Sequence, residues 1–481
     1  MPTDATSVAE LRQVLAAYER ERALRLLARL RGLEPGPPDR EQRQRAAFLL
    51  GDEPKQILAD DTSTDTSKGV LLASERAHLD GHLGVVEARA RLVRSQGQLR
   101  DALWESGEGD DGDGPSPSEA IERLALVDDA RERRRLARAV VRRLSDPVRR
   151  RADAWQTAHE QATHGVVAVP EDTREQAGAF LADTQDAADE HVRFACRSWS
   201  KGPRRSWDTL VRALRFEALD AGCPARERSR RLARSLHILG FERHLGTHVR
   251  VEAYSAARAG FRPLVLNPPL DLRIGRDVRS GVLPDLRARE TLGTALGWSL
   301  VGTGLPFEMR MPLGPGPGPL LGGLLSAWAG DPGYQARVHG LRGASAEPLT
   351  RAFALAVLLR ARIAAARVAA DLQGRSVAEV LELRAAALSR ALSCEVPPTL
   401  AALLWTGSRR ELWDAQGRLL GLALHVGLRE RFDEDCFRNP RTGEALRDLC
   451  AAGNLQEPHG YLAALGVPPD AAQKRILELL P

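Results

Sequence analysis

Leucine and alanine recur at helical spacing along most of this chain, which restricts it to a mainly α architecture. Over 7–33, Leu11, Leu15, Ala16, Leu24, Leu27 and Leu30 alternate with charged residues until Pro35-Gly36-Pro37-Pro38 ends the pattern. The same texture predicts helices over 69–103, 119–143, 145–165, 171–199, 284–303, 320–330, 345–373, 376–393, 397–406, 409–431 and 440–451, with a last one from Pro469 to Leu480. Aromatic residues are 5% of the 481, too few for a sandwich or barrel built on aromatic-rich strands. With 43% hydrophobic and 28% charged residues, the chain can bury a large core and stay soluble.

The helical texture breaks in three places. Val249-Arg250-Val251-Glu252, Leu264-Val265-Leu266-Asn267 and Asp271-Leu272-Arg273-Ile274 read as short strands of one small sheet in 249–274. The acidic stretch over 105–118, with GEGDDGDGPSPS at its centre, has nothing to bury and reads as a mobile loop. Met311 to Pro319 alternates Gly and Pro and reads as a rigid, extended spacer; proline has no N–H to offer a phosphate. The expected organisation is an N-terminal helical region over 1–200 and a second helical domain over 201–481 that carries the strands.

Lys+Arg number 69 against 64 Asp+Glu, for a net charge of +5, and only four of the cations are lysine. They alternate with acids along the helices, as in Arg131-Glu132-Arg133-Arg134-Arg135, and form no basic stripe interleaved with aromatics. Solvated helix faces are therefore expected, and no nucleic-acid partner. No apolar run reaches the ~18 residues of a membrane span, and Met1-Pro2-Thr3-Asp4-Ala5 leads into a charged amphipathic stretch with no secretory signal. A cytoplasmic protein with no membrane partner is expected.

Two histidine pairs have the i, i+4 spacing of metal ligands. His78 and His82 fall on a predicted helix with Asp80 between them, but no further ligand follows at a usable spacing. His244 and His248 flank Gly246 just before a strand, so a connection is expected there and not a helix. The five cysteines (Cys196, Cys223, Cys394, Cys436 and Cys450) are scattered, with no Cys-x-x-Cys, and are expected to be small buried hydrophobes. His191 lies five residues before Cys196, a spacing that points the two away from each other on a helix. There is no Walker pattern and no Gly-x-Gly-x-x-Gly between a strand and a helix.

An ordered series of short segments carries a resemblance. Pro263-Leu264-Val265-Leu266 and Asp271-Leu272-Arg273-Ile274 lead into Arg289-Glu290-Thr291-Leu292-Gly293-Thr294-Ala295-Leu296-Gly297. Leu305-Pro306-Phe307-Glu308-Met309-Arg310 and Gly330-Asp331-Pro332-Gly333-Tyr334 follow, then Phe437-Arg438-Asn439-Pro440-Arg441-Thr442-Gly443 and Leu462-Ala463-Ala464-Leu465-Gly466. This order resembles the active-site half of the thimet oligopeptidase and oligoendopeptidase F-like zinc metallopeptidases. In that family a helix bears His-Glu-x-Gly-His-Ala-x-His, and a Glu on the following helix completes the zinc site. The resemblance implies a two-lobed, mainly α metallopeptidase-like body with a central channel and a small sheet near the middle of the chain.

It also implies that the chemistry has been lost. Setting Gly293 and Ala295 on the family's Gly and Ala puts Glu290 at the first His and Thr291 at the catalytic Glu. Thr294 then stands at the second His and Gly297 at the third. Counting back from Asp331-Pro332 puts Pro319 or Leu320 at the remaining ligand. A lone carboxylate at Glu290 does not make a tetrahedral site, and without zinc nothing lowers the pKa of water toward neutrality. The family's late tyrosines align loosely with Trp413–His425, where Leu419, Leu420, Leu422 and Ala423 stand. The expectation is thus a pseudoenzyme with no metal and no cofactor, acting by binding a peptide or protein or as a scaffold. Glu290, Thr294, Glu308 and Arg310 would line its channel. Two alternatives stay open from the residues alone: an active zinc-dependent hydrolase with a rebuilt site, for instance at His78 and His82, and a helical interaction protein unrelated to peptidases.

Overall fold

The computed structural model describes residues 7–35, 37–60, 83, 86, 124–142, 145, 169–200, 205–255, 262–312, 316–338, 340, 346–370, 375–405, 409–455, 458–468 and 471–479. The acidic 105–118 stretch, His78 and His82, and most of the helices expected over 69–103 and 145–165 lie outside these residues.

Helices dominate, as the apolar periodicity requires. The chain opens with α1 (Val8–Leu30), α2 (Arg40–Leu49) and α3 (Glu53–Asp60), and continues through α4 (Glu171–Asp183), α5 (Gln185–Ser200), α6 (Trp207–Ala213) and α7 (Ala225–Ile238). Strands β1 (Val249–Ser255), β2 (Leu264–Asn267) and β3 (Asp271–Arg276) come next, then α8 (Val282–Ser299), α9 (Phe307–Arg310), α10 (Pro317–Ala329) and α11 (Pro332–Val338). The remainder is α12 (Glu347–Ala369), α13 (Val377–Leu392), α14 (Pro398–Leu404), α15 (Arg409–Phe432), α16 (Pro440–Ala451), α17 (Pro458–Ala463) and α18 (Ala471–Leu479). A further helical stretch covers 130–142.

All three expected strands are present, in the order β1-β3-β2, with β1 parallel and β2 antiparallel to β3. Leu272 and Ile274 alternate inward from the central strand. Helix α1 lays Ala23, Leu27 and Leu30 against Tyr254, Leu264 and Leu266 of the outer strands, so the N-terminal helix closes over the sheet.

One large core runs from Ala177 of α4 to Ile476 of α18. At its centre α10 is buried along its entire length, which fits a helix apolar on every side. The expected extended spacer is shorter than its composition suggests, because α10 already begins at Pro317. Proline lacks the N–H that a helix interior needs, yet the first turn has no intrahelical use for that N–H, so Pro317 and Pro319 start this helix without cost.

Candidate functional site

The segment that carried the resemblance folds into α8, α10 and α15, and glycines decide how closely these helices approach. A Cβ added at Gly293 would sit 2.8 Å from the Leu321 carbonyl carbon and 2.9 Å from the Gly322 Cα; one at Gly297 would sit 2.6 Å from the Pro317 carbonyl carbon. On the other side of α10, a Cβ at Gly323 would sit 2.6 Å from the Gly417 carbonyl oxygen, and one at Gly421 2.7 Å from the Gly323 Cα. Real Cβ atoms do not come this close, so α8, α10 and α15 touch backbone to backbone.

That approach fixes what each expected site residue does. Gly293 and Gly297 are used up in the contact with α10. Thr294 donates its hydroxyl to the Glu290 carbonyl one turn earlier, at 2.8 Å, and packs on Gly322. Thr291 is buried and donates to the Arg287 carbonyl at 2.8 Å. Pro319 faces away from these residues, against Gly417 of α15, and Leu320 is buried beside it in the core.

The Glu290 carboxylate has two guanidinium partners. Arg360 of α12 and Arg418 of α15 both pair with it, and all three side chains are largely buried. Burial, then the charges of Arg418, Arg287 and Arg367, push the Arg360 guanidinium well below the usual arginine range; burial also lowers Arg418 and Arg367. A partial signal for this cluster was present in the sequence: Arg360 and Arg367 stand two turns apart in a helix that, from Ala352 on, is otherwise apolar except for Arg362. Charges in such a helix need a charged or polar destination.

Glu308 and Arg310 have a different set of partners. Glu308 is fully buried and accepts a bidentate pair of bonds from Arg12 of α1, at 2.6–3.1 Å. Arg310 donates to the Pro268 carbonyl at 3.2 Å. Glu308 therefore ties the N-terminal helix to α9.

These residues do not fit a zinc ion. Glu290 is engaged by two guanidiniums, its neighbours offer hydroxyls and glycines, and no group of three or more His, Cys, Asp or Glu converges among the described residues. His244 and His248 lie in a connection before β1, as expected, with ring centroids 5.1 Å apart; His244 Nδ1 is 3.5 Å from the Ser299 hydroxyl. All five cysteines are buried, and burial raises the thiols, Cys196 to about 11 and Cys223, Cys394 and Cys436 to about 12. They are poor candidates for nucleophiles.

Asp331, in another segment of the resemblance, has a structural role. Its Oδ1 accepts from the amides of Gly333 and Tyr334 at 2.7 and 3.2 Å, capping α11, while Oδ2 accepts from Arg475 at 2.5 Å. The fully buried His425 lies alongside: its Nδ1 accepts from Arg475 Nε at 3.3 Å, and its Nε2 is 3.4 Å from Asp331 Oδ2. Burial, then the charges of Arg475 and Arg429, push His425 well below the usual histidine range. An unfolded histidine takes up a proton below about pH 6.5, and the folded ring resists it. This group's contribution to stability is therefore complete above that pH and declines as the pH falls, by at most about 1.4 kcal/mol per unit. His425→Gln is expected to flatten the pH dependence of the denaturant midpoint below about pH 6.5; an unchanged slope would assign the acid sensitivity to other groups.

No protein-family profile matches the chain, and no curated protein matches it in sequence. Solved structures do match. A carboxypeptidase from Pyrococcus furiosus aligns with a TM-score of 0.54 at 13% identity, covering 98% of each chain. An M32 carboxypeptidase from Deinococcus radiodurans R1 gives 0.53 at 15% identity, again over 98% of each. A structure described as an oligoendopeptidase F from Bacillus anthracis str. Ames gives 0.51 at 8% identity, over 92% of this chain and 85% of that one. The chain has the fold of these peptidases. The likeness extends to a metallopeptidase-type helical body with its small sheet, and it covers the N-terminal half as well as the segments legible in the sequence. No helix among the described residues is long and apolar enough to cross a membrane.

Proposed function

We propose that this protein is a catalytically inactive member of the metallopeptidase-fold group, acting by binding a peptide or protein segment or as a scaffold. The observation that supports the reading best is the state of Glu290. On the resemblance it stands at a zinc-ligand position, and it is held there by Arg360 and Arg418. A carboxylate that neutralises two guanidiniums is a poor metal donor, because binding an ion would strand both cations in a half-buried site. Thr291 and Thr294, at the proposed base and second-ligand positions, spend their hydroxyls on their own helix. Among the described residues no set of three or more His, Cys, Asp or Glu converges to hold a metal that would activate water. What the fold retains on this reading is a body suited to holding a peptide, without the groups to cut it.

Zinc content and peptide cleavage test the proposal together. Protein purified without chelator, exposed to zinc and desalted is expected to hold far less than one zinc per chain and to leave unstructured peptides intact. About one zinc per chain with chelator-sensitive cleavage would overturn it. Replacing His78 and His82 by alanine would then show whether that pair forms the rebuilt site.

A further inference from the structure

Folding sorts the arginines of α7 into three uses. Of the five in this helix, Arg228 turns inward, where it donates to the Asp277 and Arg279 carbonyls at 2.8 and 2.6 Å and lies 3.4 Å from Asp285. Arg231 pairs at 2.5 Å with Glu227, the one acid of the helix. That leaves Arg226, Arg230 and Arg234 exposed at i, i+4 and i+8, which makes them one row about 12 Å long. Among the described residues none of the three meets a carboxylate. The other exposed positions of α7 are Ser229, Ala233 and His237. Glu242 approaches only the end of the row, 3.5 Å from His237 Nδ1.

A second feature lies beside the start of this helix. Val278, 72% exposed, is the most exposed large hydrophobic side chain among the described residues. The loop that carries it is fixed: Arg228 holds the carbonyls on both sides of Val278, and the Ala225 amide donates to the Ser280 hydroxyl at 3.2 Å. An apolar side chain already held outward needs little ordering when it is covered. Guanidiniums without carboxylates, next to such a side chain, complement a segment that carries acids around an apolar residue. No Phe, Tyr or Trp stands on α7 to stack on bases, and a single valine offers little to insert into a bilayer. We propose that Arg226, Arg230 and Arg234, with Val278 at their edge, form a docking surface for an acidic, partly apolar helical segment of a partner protein. The surface does not depend on the inactive-peptidase reading, since zinc content and peptide cleavage do not report on α7.

Fluorescence anisotropy of the full-length protein with a labelled helical peptide tests it, at physiological ionic strength. The peptide carries glutamate at i, i+4 and i+8 and leucine beside that row. Saturable binding is expected, weakened about tenfold by Arg226→Gln/Arg230→Gln/Arg234→Gln, because three exposed ion pairs each add a small factor. Val278→Ser is expected to weaken it about threefold through lost apolar contact. All four positions are exposed, so these variants keep their core contacts. Arg131→Gln/Arg135→Gln/Arg138→Gln is the control: it removes the same charge from the helix over 130–142, where exposed Glu132 stands among the arginines. That control is expected to leave binding within about twofold, since salt screens charges that do not touch the peptide. Equal losses in the two triple variants would show unspecific attraction and overturn the proposal, as would no saturable binding to the wild-type chain. Tighter binding of single-stranded DNA or of phosphatidylserine vesicles, lost in the α7 variant, would also overturn it and assign the row to phosphate groups.

Discussion

A Gly297→Ala chain is expected to unfold at a clearly lower denaturant concentration than the wild type, having lost about 3 kcal/mol. In an open helix the same exchange gains up to ~1 kcal/mol, because alanine is the better helix former, so the sign of the change is itself the test. The loss arises because the new methyl would lie 2.6 Å from the Pro317 carbonyl carbon and 2.8 Å from the Gly318 Cα, both backbone atoms of a fully buried helix. Helix α10 cannot move away without opening its contact with α15, where Gly323 meets the Gly417 carbonyl. Gly178 of α4, with nothing within 4 Å of a Cβ, is the control; Gly178→Ala is expected to raise the midpoint slightly. If Gly297→Ala were neutral or stabilising, the close α8–α10 contact would be wrong. By the same steric reasoning Thr294→His, which restores one residue of the peptidase motif, is expected to destabilise the chain, since position 294 packs on Gly322.

Arg362→Leu is expected to cost on the order of 4 kcal/mol, read from the denaturant midpoint. Arg362 is fully buried on α12. Its Nε donates to the Ala391 carbonyl at 3.0 Å, and its Nη atoms donate to the Leu181 and Arg390 carbonyls at 2.9 and 2.8 Å, the Thr184 hydroxyl at 2.5 Å and the Gln185 Oε1 at 2.6 Å. Leu181 lies in the last turn of α4, and Arg390 and Ala391 in the last turn of α13. Helices end with carbonyls that have no partner of their own, and one planar guanidinium satisfies those of two helices here. Leucine fills much of the volume and leaves those acceptors buried and unmet. Arg362→Lys is expected to recover only a minor part of the loss, because an ammonium cannot reach five acceptors spread around a plane. A midpoint for Arg362→Leu within about 1 kcal/mol of wild type would show that water replaces the guanidinium there.

The local elements were largely legible in the sequence. The helix expected over 284–303 is Val282–Ser299, and the three strand segments pair in one small sheet. Burial of the cysteines followed from the residue type, a small hydrophobe when it is not paired in a Cys-x-x-Cys. The Pro/Gly stretch misled at its end because composition does not tell a proline inside an extended spacer from one in the first turn of a helix; the apolar run after it was the better guide. Glu290, Thr294 and Gly297 were picked out as a group, but what they touch was not foreseeable. Arg418 is 128 positions from Glu290, and no local pattern links the two.

What the sequence determined by itself is where helices form and which chemical groups the α8 segment carries, because helix periodicity, proline and side-chain identity act over a few residues. Only the tertiary structure decided which charges meet. Helices α8 and α10 and the distant α15 approach until their glycines touch, and that closeness helps bring Glu290 to arginines far from it in the chain. The spacing is set by the absence of side chains at Gly293, Gly297, Gly323 and Gly421, and its effect appears only once the partner helices are in place.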